Sequence, residues 1–155
     1  MLVEEYIDGR EFTVGLVGNG SELKVFPPME IAYRKKERNA QIYSFNVKKN
    51  YKEYIDYFCP APIDKEAEAK IMNTAKRIFE ILECRDFARI DFRMSSGGEI
   101  YFIEINPLPG LAPGYSDYPM LAEFNGVGHT ELVQTVLNSA LKRYGMAPVR
   151  KTEGK

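Results

Sequence analysis

The sequence predicts an α+β fold in which an antiparallel β-sheet is flanked by helices. Three observations predict it: two stretches where apolar residues alternate around a glycine-bearing turn, two long stretches where they recur at helical spacing, and a short helical stretch set off by prolines and glycines. Phe12, Val14 and Leu16 alternate, and Asn19-Gly20 is the commonest sequence for a tight hairpin turn. Leu23, Val25 and the run from Met29 to Ile31 continue extended, although Pro27-Pro28 breaks this stretch or confines it to an edge, because proline donates no ladder bond.

Residues 34–57 are polar and aromatic without clean periodicity, and are expected as a long loop of the kind that serves function. Asp64 then reads as an N-cap, with Glu66 and Glu68 in the first turn. Ala67, Ile71, Ala75, Ile78, Phe79 and Leu82 follow along one face of a helix of about five turns. From Phe87 to Met94 the alternation is strict: Ala88, Ile90, Phe92 and Met94 share one side, Arg89, Asp91 and Arg93 the other. After Gly97-Gly98 a second strand runs from Glu99 to Asn106. A Pro/Gly-rich stretch, Pro107 to Gly114, leads to a short helix begun near Pro119 and stopped at Gly126. The last helix, from Thr130 to Tyr144, carries Leu132, Val133, Val136, Leu137, Ala140 and Leu141 as a stripe for the core or a homodimer interface. One domain is expected over residues 1–145, with a disordered tail over 146–155.

The chain has 155 residues, 45% of them hydrophobic and 28% charged. A chain of this length buries about 68–70% of its extended surface, enough for a core without disulfides or a structural metal. With 21 Lys+Arg against 22 Asp+Glu, the net charge of −1 excludes the dominant positive field that non-specific nucleic-acid binding needs. Cys59 and Cys84 lack metal spacing and read as reduced packing residues, and no run approaches the roughly 20 apolar residues of a membrane span. A cytoplasmic protein is expected. His129, the lone histidine, is expected as a turn or capping residue.

The chemistry concentrates in the second hairpin. If Gly97-Gly98 forms a two-residue turn, Met94 faces Tyr101, Asp91 faces Glu104 and Arg89 faces Asn106. Like charges directly opposed across strands destabilise a sheet. A divalent cation resolves the conflict: two carboxylates and the Asn106 amide oxygen, completed by phosphates and water, describe a Mg²⁺–nucleotide site, with Arg89 placed to meet an anion. The alternating opposite face, Ala88, Ile90 and Phe92 with Tyr101, Ile103 and Ile105, would pin the register against the core. A solvated charge ladder, in which Asp91 and Glu104 pair with Arg89 or Arg93, accounts for the same spacing equally well.

Arg89-Ile90-Asp91 followed by Glu104-Ile105-Asn106-Pro107-Leu108-Pro109-Gly110 resembles the end of the ATP-grasp fold, most closely the D-alanine–D-alanine ligase family. The segment from Val3 to Val14 resembles the family's run from adenine hinge to ribose contact, and Tyr57-Phe58-Cys59-Pro60-Ala61 agrees as well. The resemblance implies ATP and Mg²⁺ (or Mn²⁺) as cofactors and assigns roles by position. Glu4 would accept from the adenine amino group, the backbone at Tyr6 and Ile7 would meet the ring edge, and Glu11 would bind the ribose hydroxyls. Lys48, or its neighbour Lys49, would contact phosphate. Asp91, Glu104 and Asn106 would be the metal ligands, Arg89 would stabilise the anionic intermediate, and the Gly110 amide would serve as an oxyanion donor.

The departures lie on the substrate side. Pro107-Leu108 stands where the family commonly has Thr-Ser, and Leu111-Ala112-Pro113-Gly114-Tyr115-Ser116 is one residue longer than usual. The residue facing the amino-acid carboxylate is therefore Ser116 or Tyr115. The resemblance also implies an N-terminal domain and a central glycine-rich lid as further parts. This chain is accordingly expected to be the C-terminal, ATP- and Mg²⁺-binding half of a carboxylate–amine ligase acting on a small amino acid, inactive by itself. An acceptor other than D-alanine, or a non-catalytic nucleotide-binding remnant, are the alternatives.

Overall fold

The computed structural model describes residues 3, 5–34 and 55–149. A six-stranded antiparallel sheet runs in the order β4 (Ile55–Phe58), β3 (Met29–Tyr33), β1 (Gly9–Val17), β5 (Phe87–Ser95) and β6 (Ile100–Asn106), with the short β2 (Lys24–Val25) paired to the end of β1. The helices are α1 (Lys65–Ile81), α2 (Asp117–Phe124) and α3 (His129–Arg143). No described helix is long and apolar enough to cross a membrane.

Strand alternation sorts the sheet into two faces. Phe12, Val14 and Leu16 of β1 join Ala88, Ile90 and Phe92 of β5 under α1, which contributes Ile71, Ala75 and Phe79. The helix begins where expected, its Asp64 cap accepting from the Ala67 amide at 2.7 Å. On the opposite face, Tyr118, Leu121 and Ala122 of α2 and Leu132 of α3 pack on Val17, Phe26 and Phe87. Gly15 permits this approach, since a Cβ there would meet Leu121, Phe26 and Tyr118 at 3.0–3.1 Å. The helices cover one end of that face and leave its polar residues, from Glu11 to Asn106, as a separate surface.

Several expectations are corrected. The tight Asn19-Gly20 turn does not form: Leu16 pairs with Val25 and Val17 with Lys24, so Gly18 to Leu23 make a wider connection with a 3-10 turn at Gly20–Glu22. The Asn19 side chain is committed elsewhere, donating to Asp86 Oδ1 at 2.8 Å and accepting from the Asp86 amide at 2.9 Å. The expected loop 34–57 ends early, because Ile55–Phe58 adds an edge strand to β3 through Ile31↔Tyr57 and Tyr33↔Ile55. The remainder of that loop lies outside the described residues. α2 starts at Asp117, two residues before Pro119. Of the stripe on α3 only Leu132 is fully buried, and Val133 and Leu137 face solvent. Residues 146–149 of the expected tail lie along α3, where Asn138 accepts from the Val149 amide at 2.8 Å.

The β5–β6 register combines two irregularities. Ser95 and Glu99 close a three-residue loop, with Gly98 at φ 81°, a left-handed conformation that favours glycine. This makes Met94 face Ile100 instead of Tyr101. A β-bulge then inserts Ile103 and restores Asp91 opposite Glu104 and Arg89 opposite Asn106. The core-facing residues of β6 are thus Ile100 and Ile105, with Phe102 packed edge-on against Phe92 at 6.5 Å. Tyr101 and Ile103 do not join them, and Ile103 is 51% exposed.

Candidate functional site

Three adjacent strands present the site. Thr13 on β1 stands opposite Asp91 on β5, which stands opposite Glu104 on β6; two residues along each strand, Gly15, Arg89 and Asn106 form a second row. The Thr13 hydroxyl donates to Asp91 Oδ1 at 2.7 Å. Asn106 Nδ2 donates to Glu104 Oε1 at 3.0 Å and reaches Asp91 Oδ2 at 3.5 Å, so one electropositive atom already bridges the two carboxylates.

Arg89 is held from two sides. Its Nε and Nη2 donate to Asp91 Oδ1 and Oδ2 at 3.0 and 2.8 Å, a bidentate pair, and Nη1 donates to Asp117 Oδ2 at 3.3 Å. Glu104 Oε1 lies 3.8 Å from Nη2. Burial opposes the guanidinium charge, but Asp91, Asp117 and Glu104 outweigh it and raise the pKa. Asp117 is 1% exposed and also accepts from the Tyr57 hydroxyl at 3.2 Å. Arg89 thus serves both carboxylates, the contact that the charge ladder called for.

Farther along the same face, Glu11 is opposite Arg93, whose Nη1 lies 3.7 Å from its Oε2, and the Tyr33 hydroxyl donates to that oxygen at 2.9 Å. Burial pushes the Glu11 carboxyl above the usual carboxylate range, against the pull of Tyr33 and Arg93. Arg93 also stacks over the Tyr6 ring at 5.0 Å. Tyr6 is exposed and Ile7 half-buried, a few residues before Glu11 in sequence. Glu4, Lys48 and Lys49 lie outside the described residues.

Gly110 is exposed, and a Cβ there would meet Ser116 Oγ at 2.7 Å, so glycine is what lets the loop close on Ser116. Ser116 is half-buried, whereas Tyr115 is 54% exposed. The Ser116 amide donates to Ala112 at 3.0 Å, and His129, the first residue of α3, bonds the Leu111 carbonyl at 2.8 Å. His129 thus fastens this loop to the helix start. Cys59 and Cys84 pack at the edges of the two cores, and burial raises both thiols.

Two carboxylates and an amide suit Mg²⁺, which keeps several waters and accepts phosphate oxygens, better than they suit a softer ion. Among the described residues no three of His, Cys, Asp and Glu gather as a closed cage. Turning the Asn106 amide over would aim its oxygen where its nitrogen now bridges the acids, so the residues fit the ion.

Thr13, Asp117, Tyr33 and Tyr57 are parts of this surface that sequence reasoning missed, and Arg93, expected as a partner of Asp91 or Glu104, lies instead against Glu11. Alternation with Phe12 and Val14 places Thr13 on the Glu11 face, a usable signal. The partners 78 residues away in Asp91 and 60 residues apart in Tyr57 and Asp117 have no such local mark.

Known proteins share this fold. The D-alanine–D-alanine ligase from Coxiella burnetii superposes with a TM-score of 0.71 at 23% identity, covering 92% of this chain and 34% of its own. The fold is the ATP-grasp fold. A family model described as D-ala D-ala ligase C-terminus matches residues 1–138, and the chain belongs to that family. An uncharacterized protein from Sinorhizobium fredii is 34% identical over 143 residues, 92% of this chain and 41% of its own. A D-alanine–D-alanine ligase from Thermotoga petrophila is 36% identical over 140 residues, 90% of this chain and 44% of its own. The chain spans less than half the length of these curated relatives.

Proposed function

We propose that this chain provides the ATP- and Mg²⁺-binding half-site of a D-alanine–D-alanine ligase-like carboxylate–amine ligase, working in the cytoplasm in cell-wall peptide synthesis. The observation that carries the proposal is the Asp91–Glu104 pair, opposed across β5 and β6 and bridged by Asn106. Arg89 compensates the pair in part, bonding Asp91 through two donors with Glu104 Oε1 3.8 Å from Nη2, and two directly opposed carboxylates beside an amide oxygen suit a divalent cation.

In such a reaction a carboxylate attacks the γ-phosphate to give an acylphosphate and ADP, and an amine then displaces phosphate through a tetrahedral intermediate. Asp91, Glu104 and Asn106 would hold Mg²⁺ (or Mn²⁺), which when bound neutralises phosphate charge. Glu11 orients the ribose by accepting from its hydroxyls, while Glu4 and the backbone at Tyr6 and Ile7 select adenine. Lys48 or Lys49 contacts phosphate. Arg89 supplies positive charge to the oxygens of the transferred group, and the Gly110 amide donates to the tetrahedral oxygen. Ser116, beside Gly110, binds the amino-acid carboxylate in preference to the outward-facing Tyr115. In the proposed ligase a lid over the phosphates and a domain for the first amino acid would complete the cleft.

A second reading, an acceptor other than D-alanine, is favoured by Leu108, which is 80% exposed where the family commonly has a polar residue. Calorimetric titration with ADP, with and without Mg²⁺, tests the half-site: weak binding that requires the metal supports it, and equal binding after chelation contradicts it.

A further inference from the structure

Of the three carboxylates around Arg89, with Glu104 Oε1 at 3.8 Å, the two that its guanidinium hydrogen-bonds differ in kind. Asp91 lies on the open sheet face beside Glu104 and Asn106, whereas Asp117 is 1% exposed in the first turn of α2. α2 is fixed by the buried Tyr118, whose hydroxyl donates to the Leu16 carbonyl at 2.9 Å, so Asp117 is anchored to the core. Tyr57 from β4 occupies Asp117 Oδ1 at 3.2 Å and leaves Oδ2 to Arg89 at 3.3 Å.

We propose that Asp117, held by Tyr57, is a positioning residue that keeps Arg89 compensated when Asp91 turns its oxygens from the arginine to a divalent cation. The inference rests on the Asp91–Glu104–Asn106 cation site proposed above. Arg89 now takes both Asp91 oxygens, the same atoms the cation requires. A guanidinium side chain only 12% exposed, left without a counter-charge beside a dication, carries a heavy desolvation penalty. Asp117 removes that penalty. It holds the third arm of the guanidinium fork, lies too deep to follow the cation, and lets Arg89 remain on the reacting face as Asp91 changes partner.

The test is Mn²⁺ titration of the full chain, followed by the electron-spin signal of the free ion, in wild type, Asp117→Asn, Arg89→Gln and the double variant, with melting curves to verify folding. Asp117→Asn is expected to weaken Mn²⁺ binding by about tenfold in the wild-type background and by less than about threefold in the Arg89→Gln background, where no competing arginine needs an anchor. Tyr57→Phe, the milder change, shifts affinity in the same direction by a smaller factor. In ¹H–¹⁵N spectra the Arg89 Nε–H signal should persist at saturating Mg²⁺ in wild type and broaden in Asp117→Asn. An equal factor in both backgrounds would reduce Asp117 to a through-space charge, and no change would remove it from the site; either result overturns the proposal. If Asp91→Asn leaves Mn²⁺ affinity unchanged, the cation site fails and the proposal with it. If Asp91→Asn abolishes binding while Asp117→Asn does not weaken it, only the role of Asp117 fails.

Discussion

Thr13 and Asp91 face each other across β1 and β5, and the Thr13 hydroxyl donates to Asp91 Oδ1 at 2.7 Å. A residue at the centre of the sheet thus fixes the rotamer of a proposed cation ligand. Thr13→Val keeps the shape and removes the bond, while Asp91 retains Arg89. The expected cost is about 1 kcal/mol, a drop of about 2–4 °C in melting temperature for a chain of this size. Mg²⁺–ADP affinity should fall with it, and an unchanged affinity would show that the hydroxyl does not order Asp91.

Gly15→Ala addresses the docking of α2. Its Cβ would press on Leu121, Phe26 and Tyr118 at 3.0–3.1 Å, three buried side chains with little room to yield. Overpacking of this kind costs about 1–3 kcal/mol. Because α2 also carries Asp117, the variant should lose cation affinity as well as stability, measured by denaturant unfolding and Mn²⁺ titration.

Glu11, the proposed ribose ligand, is a buried carboxyl. Its pKa is raised in the folded state, chiefly by burial, so its contribution favours folding below the unfolded value near about 4.3 and is lost as pH rises through the higher folded value. Above the folded value the ionised, buried carboxylate is a burden. Glu11→Gln should therefore melt at a higher temperature than wild type at pH 7, the difference closing as pH falls toward 4, while nucleotide affinity declines.

Asp86 behaves in the opposite sense. It ties Asn19 to Arg143, which donates to its two oxygens at 3.2 and 2.7 Å, and Arg143 holds the carboxyl below the usual range. A lowered folded pKa gives stability that is present above the unfolded value near about 3.9 and disappears as pH falls through the folded one. Arg143→Ala should move acid unfolding to higher pH, as followed by circular dichroism. An unchanged acid transition would show that the clasp contributes nothing.

Local patterns made the fold class, the Asp64-capped helix and both strands of the last hairpin legible in the sequence. The opposition of Asp91 and Glu104 was also legible, though for an incomplete reason: the three-residue loop and the Ile103 bulge shift the register by one in opposite senses and cancel at the site. The bulge is invisible in sequence because Ile103 fits an alternating apolar pattern as well as its neighbours do. Asp117 was missed because its meaning lies in Tyr57 and Arg89, brought to it by tertiary packing. Asn19-Gly20 misled because a side-chain bond to Asp86 outweighed its turn preference.

The most direct test of the half-site is Mg²⁺–ADP titration of wild type beside Asp91→Asn and Glu104→Gln, with folding verified for each. Metal-dependent binding in wild type that both substitutions abolish is the expected result. Binding of equal strength in all three proteins would contradict the assignment of the opposed carboxylates to a cation.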